Sequence, residues 1–487
     1  MNSLELNRRT FLARSGLGLG SAALAQLLAV DVGSDARGSD AVGGDIVTRG
    51  AGSYHGLPSL PHFAPRAKRV IFLCMAGGPS HLESFDYKPM LEQMHGQPMP
   101  ESFTKGQPIA QLQGQQLTAQ GPLTRFRPHG QSGQVISDFF PHIATIADDI
   151  CIVRSMVTEQ INHDPAHTFM NTGSAISGRP SIGAWATYGL GSEGNDLPGF
   201  VVMTSVGGRN PQPLASRQWS AGFLPSRFQG VEFNAAGDPV HYVSNPLGVS
   251  AHRQRTLVDI VKQLDTHRNR QVDNPEIEAR IAAYEMAFRM QTSVPQLVDV
   301  SDEPQHVLDM YGATPGDGSF ASNCLLARRL AQRGVRFIHL YHRGWDHHDD
   351  LEKYMSICSR HTDQASAALV TDLKQRGMLD DTLIVWGGEF GRTPMVQGNK
   401  GDAGRDHHIK GFSMWLAGGG IRPGITYGAT DELGYKSVEN IVHVRDLHAT
   451  MLSQLGIDHN RFSVKYQGLD MRLTGVEEAR VVRDILA

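Results

Sequence analysis

The chain has 487 residues, enough to bury a large core in one or two domains. Hydrophobic residues make up 40% and charged residues 19%, a balance that excludes an intrinsically disordered protein. The net charge of −4 gives no general electrostatic reason to bind nucleic acid, whereas 22 histidines favour metal or proton chemistry.

The N-terminus reads as an address. Asn7-Arg8-Arg9-Thr10-Phe11-Leu12 forms a twin-arginine signal, followed by a Gly/Ala-rich apolar run over 16–30 that is short and soft for a stable membrane span. Ala23-Leu24-Ala25 offers a small-residue cleavage site. Residues 1–30 are therefore expected to send the folded protein through the twin-arginine export machinery to the periplasm or cell envelope. Residues 31–65, rich in Gly, Ser, Asp and Pro, are expected to be a flexible tether. Residues 66–487 are expected to form one domain, with no stable membrane span after processing.

In that domain the first strand is expected over 69–75, ending in Gly77-Gly78-Pro79-Ser80, where glycine lets backbone approach a ligand closely. Glu83 and Asp86 follow as candidate carboxylates. The Gln-, Gly- and Pro-rich stretch 96–133 reads as a long surface insertion. A helix is expected around 139–147 and strands over 149–156 and 199–203. Residues 255–270 and 275–291 have helical spacing with mixed charge. A helix–strand rhythm follows. Helix 321–332 leads to strand 335–341, helix 351–375 to strand 382–386, and strand 412–416 to helix 444–455. Gly334, Gly377 and Gly456 stand just past helices, where a left-handed cap suits glycine. The alternation predicts an α/β fold, a mainly parallel sheet with helices on both faces. The four cysteines (Cys74, Cys151, Cys324, Cys358) lack a CxxC pair, so neither a disulfide framework nor a cysteine zinc site is expected.

Chemistry-bearing residues cluster after the late strands. Asp346 and His348 alternate in an extended segment, so both side chains can meet one cation. Glu389 follows a strand and Gly387-Gly388, as a metal-ligating carboxylate or a partner of Arg392. Arg392 offers a planar fork for phosphate, sulfate or carboxylate. In the polar loop Gly404-Arg405-Asp406-His407-His408, His407 is the preferred ligand, Asp406 a ligand or the orienter of an imidazole, and Arg405 an anion holder. His163 precedes Asp164-Pro165, a helix start with an N-cap and a first-turn proline, whose free amides attract anions. His163 there can serve as nucleophile, general acid/base or ligand.

Several motifs in this order carry a family resemblance. They are Met75-Ala76-Gly77-Gly78-Pro79-Ser80-His81 with Ser84-Phe85-Asp86, then Gly344-Trp345-Asp346-His347-His348, Glu389-Phe390-Gly391-Arg392-Thr393-Pro394, Gly404-Arg405-Asp406-His407-His408 and Asp446-Leu447-His448-Ala449-Thr450. The chain resembles the uncharacterised domain family numbered 1501, an exported group in the alkaline phosphatase/sulfatase superfamily. The resemblance implies a three-layer sandwich like those enzymes. Where sulfatases carry Cys-x-Pro-x-Arg and then Thr-Gly, this chain has His163-Asp164-Pro165-Ala166-His167 and then Thr172-Gly173. His163 thus stands for the nucleophile and His167 for an anion-binding arginine. Gly77-Gly78 replaces the paired aspartates and Glu389-Phe390-Gly391 replaces Asp-His-Gly. Asp346 with His348 resembles a superfamily metal pair, and His407 the late metal-ligating histidine.

The expected function is an exported, metal-dependent hydrolase of an anionic phosphate or sulfate ester, on a small molecule or polysaccharide, acting through metal-activated water. The expected metal is a divalent ion: zinc, calcium or manganese. The competing expectation is a non-catalytic binding or assembly protein on a sulfatase-like scaffold.

Overall fold

Strand β1 (Arg69–Ala76) is apolar after its first residue and buried at every position. A strand of that kind belongs inside a sheet covered on both faces. The computed structural model places it so. It describes residues 54–487 except 108, 213, 235–238, 241–244, 246, 247, 273 and 399–402. The expected signal over 1–30 and most of the expected tether lie outside the described residues.

The other strands of the main sheet are β2 (Ile150–Val157), β3 (Phe200–Val206), β4 (Val231–Phe233), β5 (Phe337–Arg343) and β6 (Thr382–Gly387). After a short ribbon of β7 (Gly391–Arg392) and β8 (His407–His408) come β9 (Phe412–Ala417), β10 (Ile425–Tyr427) and β11 (Val442–His443). The nine-stranded order is β10-β2-β9-β6-β1-β5-β3-β4, with β11 also paired to β2. Every pairing is parallel except those of β9, which runs against both neighbours.

The longer helices are α1 (His163–Thr172), α2 (Ile182–Leu190), α3 (Ala251–Val272), α4 (Pro275–Val298), α5 (Phe320–Gln332), α6 (Leu351–Gln375) and α7 (Val444–Gln454). Alternate residues of β1 enter two separate cores, as a period of two requires. Ile71, Leu73 and Met75 pack with Met290 of α4, Leu325 and Leu330 of α5 and Leu369 of α6. Val70, Phe72 and Cys74 pack with Phe169 of α1, Trp185 of α2 and Leu447 of α7. The fold is thus mixed α/β, with three layers around a mostly parallel sheet. Gly334, Gly377 and Gly456 adopt positive φ at helix ends, as expected. All four cysteines are buried and free.

Two local expectations change. The segment near 139–147 forms only a 3-10 helix, Ile143–Asp149, with Ile146 outside helical angles. Pro141 and the Asp363 carboxylate, which accepts from the His142 and Ile143 amides at 2.8 and 2.7 Å, fix its start and leave no room for a longer α-helix. The packed chain also begins before residue 66. Tyr54 donates to the Tyr188 carbonyl at 2.8 Å, and Tyr54, Leu57 and Leu60 lie against the second core, because their apolar area gains more from burial than from exposure.

Candidate metal centre

Three adjacent strands, β6, β1 and β5, end at one edge of the sheet, and loops leave them there. In open α/β sheets this carboxyl edge is where ligands bind. Strand β5 delivers Asp346 and His348, and β6 delivers Glu389. Because β9 runs backwards, its beginning lies at the same edge, so the loop before it brings in His407. The start of α1, reached from β2, supplies His163.

Four ligand-type atoms meet there. Asp346 Oδ1 lies 2.8 Å from His348 Nε2 and 3.2 Å from both His407 Nε2 and His163 Nε2. His348 Nε2 and His407 Nε2 are 3.0 Å apart. The outer nitrogen of each ring fixes the tautomer. His407 Nδ1 donates to the Ile161 carbonyl at 2.8 Å, His348 Nδ1 to Gln397 Oε1 at 2.5 Å, and His163 Nδ1 to Glu389 Oε1 at 2.6 Å. In each neutral ring the Nε2 lone pair therefore points inward beside a carboxylate oxygen. Lone pairs crowded this closely repel one another unless a proton or a metal cation lies among them. Imidazoles held by an outer acceptor are also the usual dress of metal-ligating histidine. His163 Nε2 is buried, and Asp346 Oδ1 at 3.2 Å is the polar atom it faces. His163, Asp346 and His348 keep 12–19% of their side chains exposed, so the site opens to solvent.

The surroundings hold this set rigid. Glu389 is fully buried and accepts from the amides of Gly77 and Gly78 at 3.1 Å. Burial would raise its pKa, but His167 and His163 outweigh that and hold it down to about 2. Gly77 and Gly78 can present their amides this way because φ is +124° and +70°, and a Cβ on Gly77 would sit 2.5 Å from the Asp346 amide. The ligand that the glycine turn approaches is therefore a carboxylate of the chain itself. Burial lowers His407 to about 4 against the pull of Asp346. Burial also opposes ionisation of Asp346, yet Arg392 and the three imidazoles hold its carboxyl well below the usual range. His163 is raised: burial pushes it down, and hydrogen bonds to Asp346 and Glu389 more than reverse this.

The expected residues divide accordingly. Asp346, His348, His407 and His163 come together as one group. His163, His167 and Glu389 form a second group, behind the first. His167 is fully buried, with Nε2 3.3 Å from Glu389 Oε1, so it reaches the carboxylate behind His163 rather than the open face. Arg392 is inward too. It donates to the carbonyls of Gly78, Arg405, Gly77 and Trp345, and to Asp346 Oδ1 at 2.7 Å, so its fork grips backbone and a carboxylate of the chain rather than a substrate. Arg405 departs from the expectation entirely. It is buried and paired with Glu83 at 2.7 Å, with its remaining donors on the carbonyls of Gln120, Gly121 and Thr393. Asp406 is no member of either group. Its Oδ2 accepts from the Gln111 and Leu112 amides at 2.6 and 3.0 Å, and its Oδ1 from the His407 amide. The α1 helix starts at His163, with Asn162 at the N-cap position making no side-chain capping bond, and Asp164 lies in the first turn paired with Arg217. Sequence reasoning missed Gln397 and Gln111.

The fold and this site define an α/β protein with a cluster of three histidines and an aspartate that could hold a metal ion on the carboxyl edge of its sheet. The chain belongs to the family described as a protein of unknown function, DUF1501, whose model matches residues 67–486. No curated protein matches its sequence. Among solved structures it is similar to Ps i-CgsB in complex with κ-ι-κ-neocarrahexaose, at 11% identity and a TM-score of 0.33 over 80% of this chain and 72% of that one. It is similar to the lipoteichoic acid synthase LtaP from Listeria monocytogenes at 11% identity and TM-score 0.33, over 84% and 76%. It is also similar to a TAB5 alkaline phosphatase mutant with magnesium bound, at 12% identity and TM-score 0.28, over 74% and 94%.

Proposed function

We propose that the chain is a metal-dependent hydrolase of a phosphate or sulfate ester, with one divalent cation held by His163, Asp346, His348 and His407. The observation that carries this reading is the convergence of three imidazole Nε2 atoms on Asp346 Oδ1. Three nitrogens and one carboxylate oxygen suit zinc, manganese less closely, and not calcium, which takes oxygen ligands; a catalytic cation held by all four would take water or an ester oxygen as a fifth ligand. Such a cation supplies Lewis-acid polarisation of an ester oxygen and makes water a stronger nucleophile near neutral pH. The chain's own contribution is orientation. Ile161, Gln397 and Glu389 keep the three rings facing inward, and Arg392 holds Asp346. Buried Glu389 holds the proton on His163 Nδ1, and Gly77 and Gly78 hold Glu389.

Purified protein is expected to bind about one zinc or manganese. It is expected to hydrolyse 4-nitrophenyl phosphate or 4-nitrophenyl sulfate, with activity abolished by a chelator and by His407→Ala. A well-folded protein that takes up no divalent cation sinks the proposal. The inward commitment of both Arg392 and Arg405 favours a second reading, a non-catalytic metal protein. Full metal uptake without hydrolysis of either ester would decide for it. We place the protein outside the cytoplasm on the strength of Arg8-Arg9 and the apolar run behind them. Replacing both arginines by lysine is expected to leave it in the cytoplasmic fraction, and unaltered fractionation would contradict export by that route. Among the described residues no helix is long and apolar enough to cross a membrane.

A further inference from the structure

The stretch 96–133 does not end at the surface; it reaches the metal site. Its Gln111 and Leu112 amides are clamped by Asp406, the residue next to His407 in the chain. The Gln111 side chain is fixed as well. Gln397 Nε2 donates to Gln111 Oε1 at 2.8 Å, while Gln397 Oε1 accepts from His348 Nδ1. With its oxygen occupied, Gln111 turns its NH2 group toward the pocket, 3.5 Å from His348 Nε2, the nitrogen that faces the cation position. An amide NH2 has no lone pair to give a cation. In the metal-free chain its partner on this side is the His348 Nε2 lone pair, at the long limit of a hydrogen bond; a cation that takes that lone pair frees the NH2 for an oxygen arriving with the cation. Arg392 and Arg405 have spent their donors internally, so an anion seated at the pocket meets a neutral donor from this exposed side chain.

We infer that Gln111 is a substrate-contacting residue: its side-chain NH2 donates a hydrogen bond to an oxygen of the anion bound at the cation position. The inference rests on the metal-site reading above. Asp406 and Gln397 are the positioning residues that aim it, Asp406 through the backbone of Gln111 and Gln397 through its carboxamide.

The test uses the full chain loaded with zinc and titrated with inorganic phosphate by calorimetry, alongside separate zinc titrations. Gln111→Ala is expected to weaken phosphate binding by about tenfold or more, the size of a lost hydrogen bond to a charged group. Its zinc affinity is expected to change less than about threefold. Gln397→Ala is expected to show the reverse pattern first, a loss of zinc affinity, because His348 loses the acceptor that holds its ring. Gln111→Glu is expected to weaken phosphate further by placing a carboxylate beside it, and it guards against a general packing effect. Unchanged phosphate affinity in zinc-loaded Gln111→Ala overturns the inference and leaves the metal site standing. A parallel fall in zinc affinity in that variant also overturns it, by making Gln111 a support of His348. A wild-type chain that takes up no zinc overturns the metal site itself, and this inference with it.

Discussion

His163 is held between two carboxylates, Glu389 at 2.6 Å on Nδ1 and Asp346 at 3.2 Å on Nε2. Its pKa is raised because those two partners outweigh the burial that pushes it down. At pH 6 the metal-free ring is therefore protonated, and a proton at Nε2 stands where a cation would. His407, drawn down to about 4, is already neutral and needs no preparation. The sign follows. Below the raised pKa of His163, metal must expel a proton, so affinity climbs with pH and levels once that pKa is passed. Calorimetry at pH 6 in buffers of different ionisation heat is expected to show about one proton released per metal in the wild type. Equal heats in all buffers, meaning no release, would remove His163 from the ligand set.

At the scale of elements, the glycine turn after β1 is the keystone of the geometry. Gly77 holds a left-handed φ, and an added Cβ would press on the backbone of Trp345 and Asp346 at 2.5–2.7 Å. Gly77→Ala is expected to cost more than about 1 kcal/mol, since strain and a clash with backbone add together. It is also expected to lower metal affinity, because the displaced segment carries a ligand. A melting temperature and a zinc affinity both equal to wild type would show that the turn tolerates a side chain. This turn was legible in the sequence as a place of close approach, though not what approaches it. Asp346, His348 and His407 were legible because polar residues just past apolar runs land on a sheet edge. Gln111 was not, since it stands among other glutamines (Gln107, Gln113, Gln115, Gln116) that look alike until contacts pick one out. Arg405 misled for a related reason. Its fork suits a phosphate or a carboxylate equally, and the carboxylate that claims it, Glu83, lies 322 positions away in the chain.

Over the whole molecule, the four proposed ligands come from three distant segments: the start of α1, the loop after β5 and the ribbon before β9. A cation that joins them binds the folded chain and has no comparable site in the unfolded one, so its binding energy adds to stability. With free metal at a hundred times its dissociation constant, the gain is about 2.7 kcal/mol, which moves the thermal midpoint by a readable amount. Zinc or manganese is therefore expected to raise the melting temperature of the wild type in a concentration-dependent way. His407→Ala removes a proposed ligand that also holds the Ile161 carbonyl and packs against Phe390 and His163, so the apo variant is expected to melt somewhat below the apo wild type and to lose the metal-induced shift. A variant that keeps the full shift would mean that the stabilising ion sits elsewhere. A wild type that melts at one temperature across all metal concentrations would mean that the three segments are held by packing alone, and that the crowded imidazoles receive no cation.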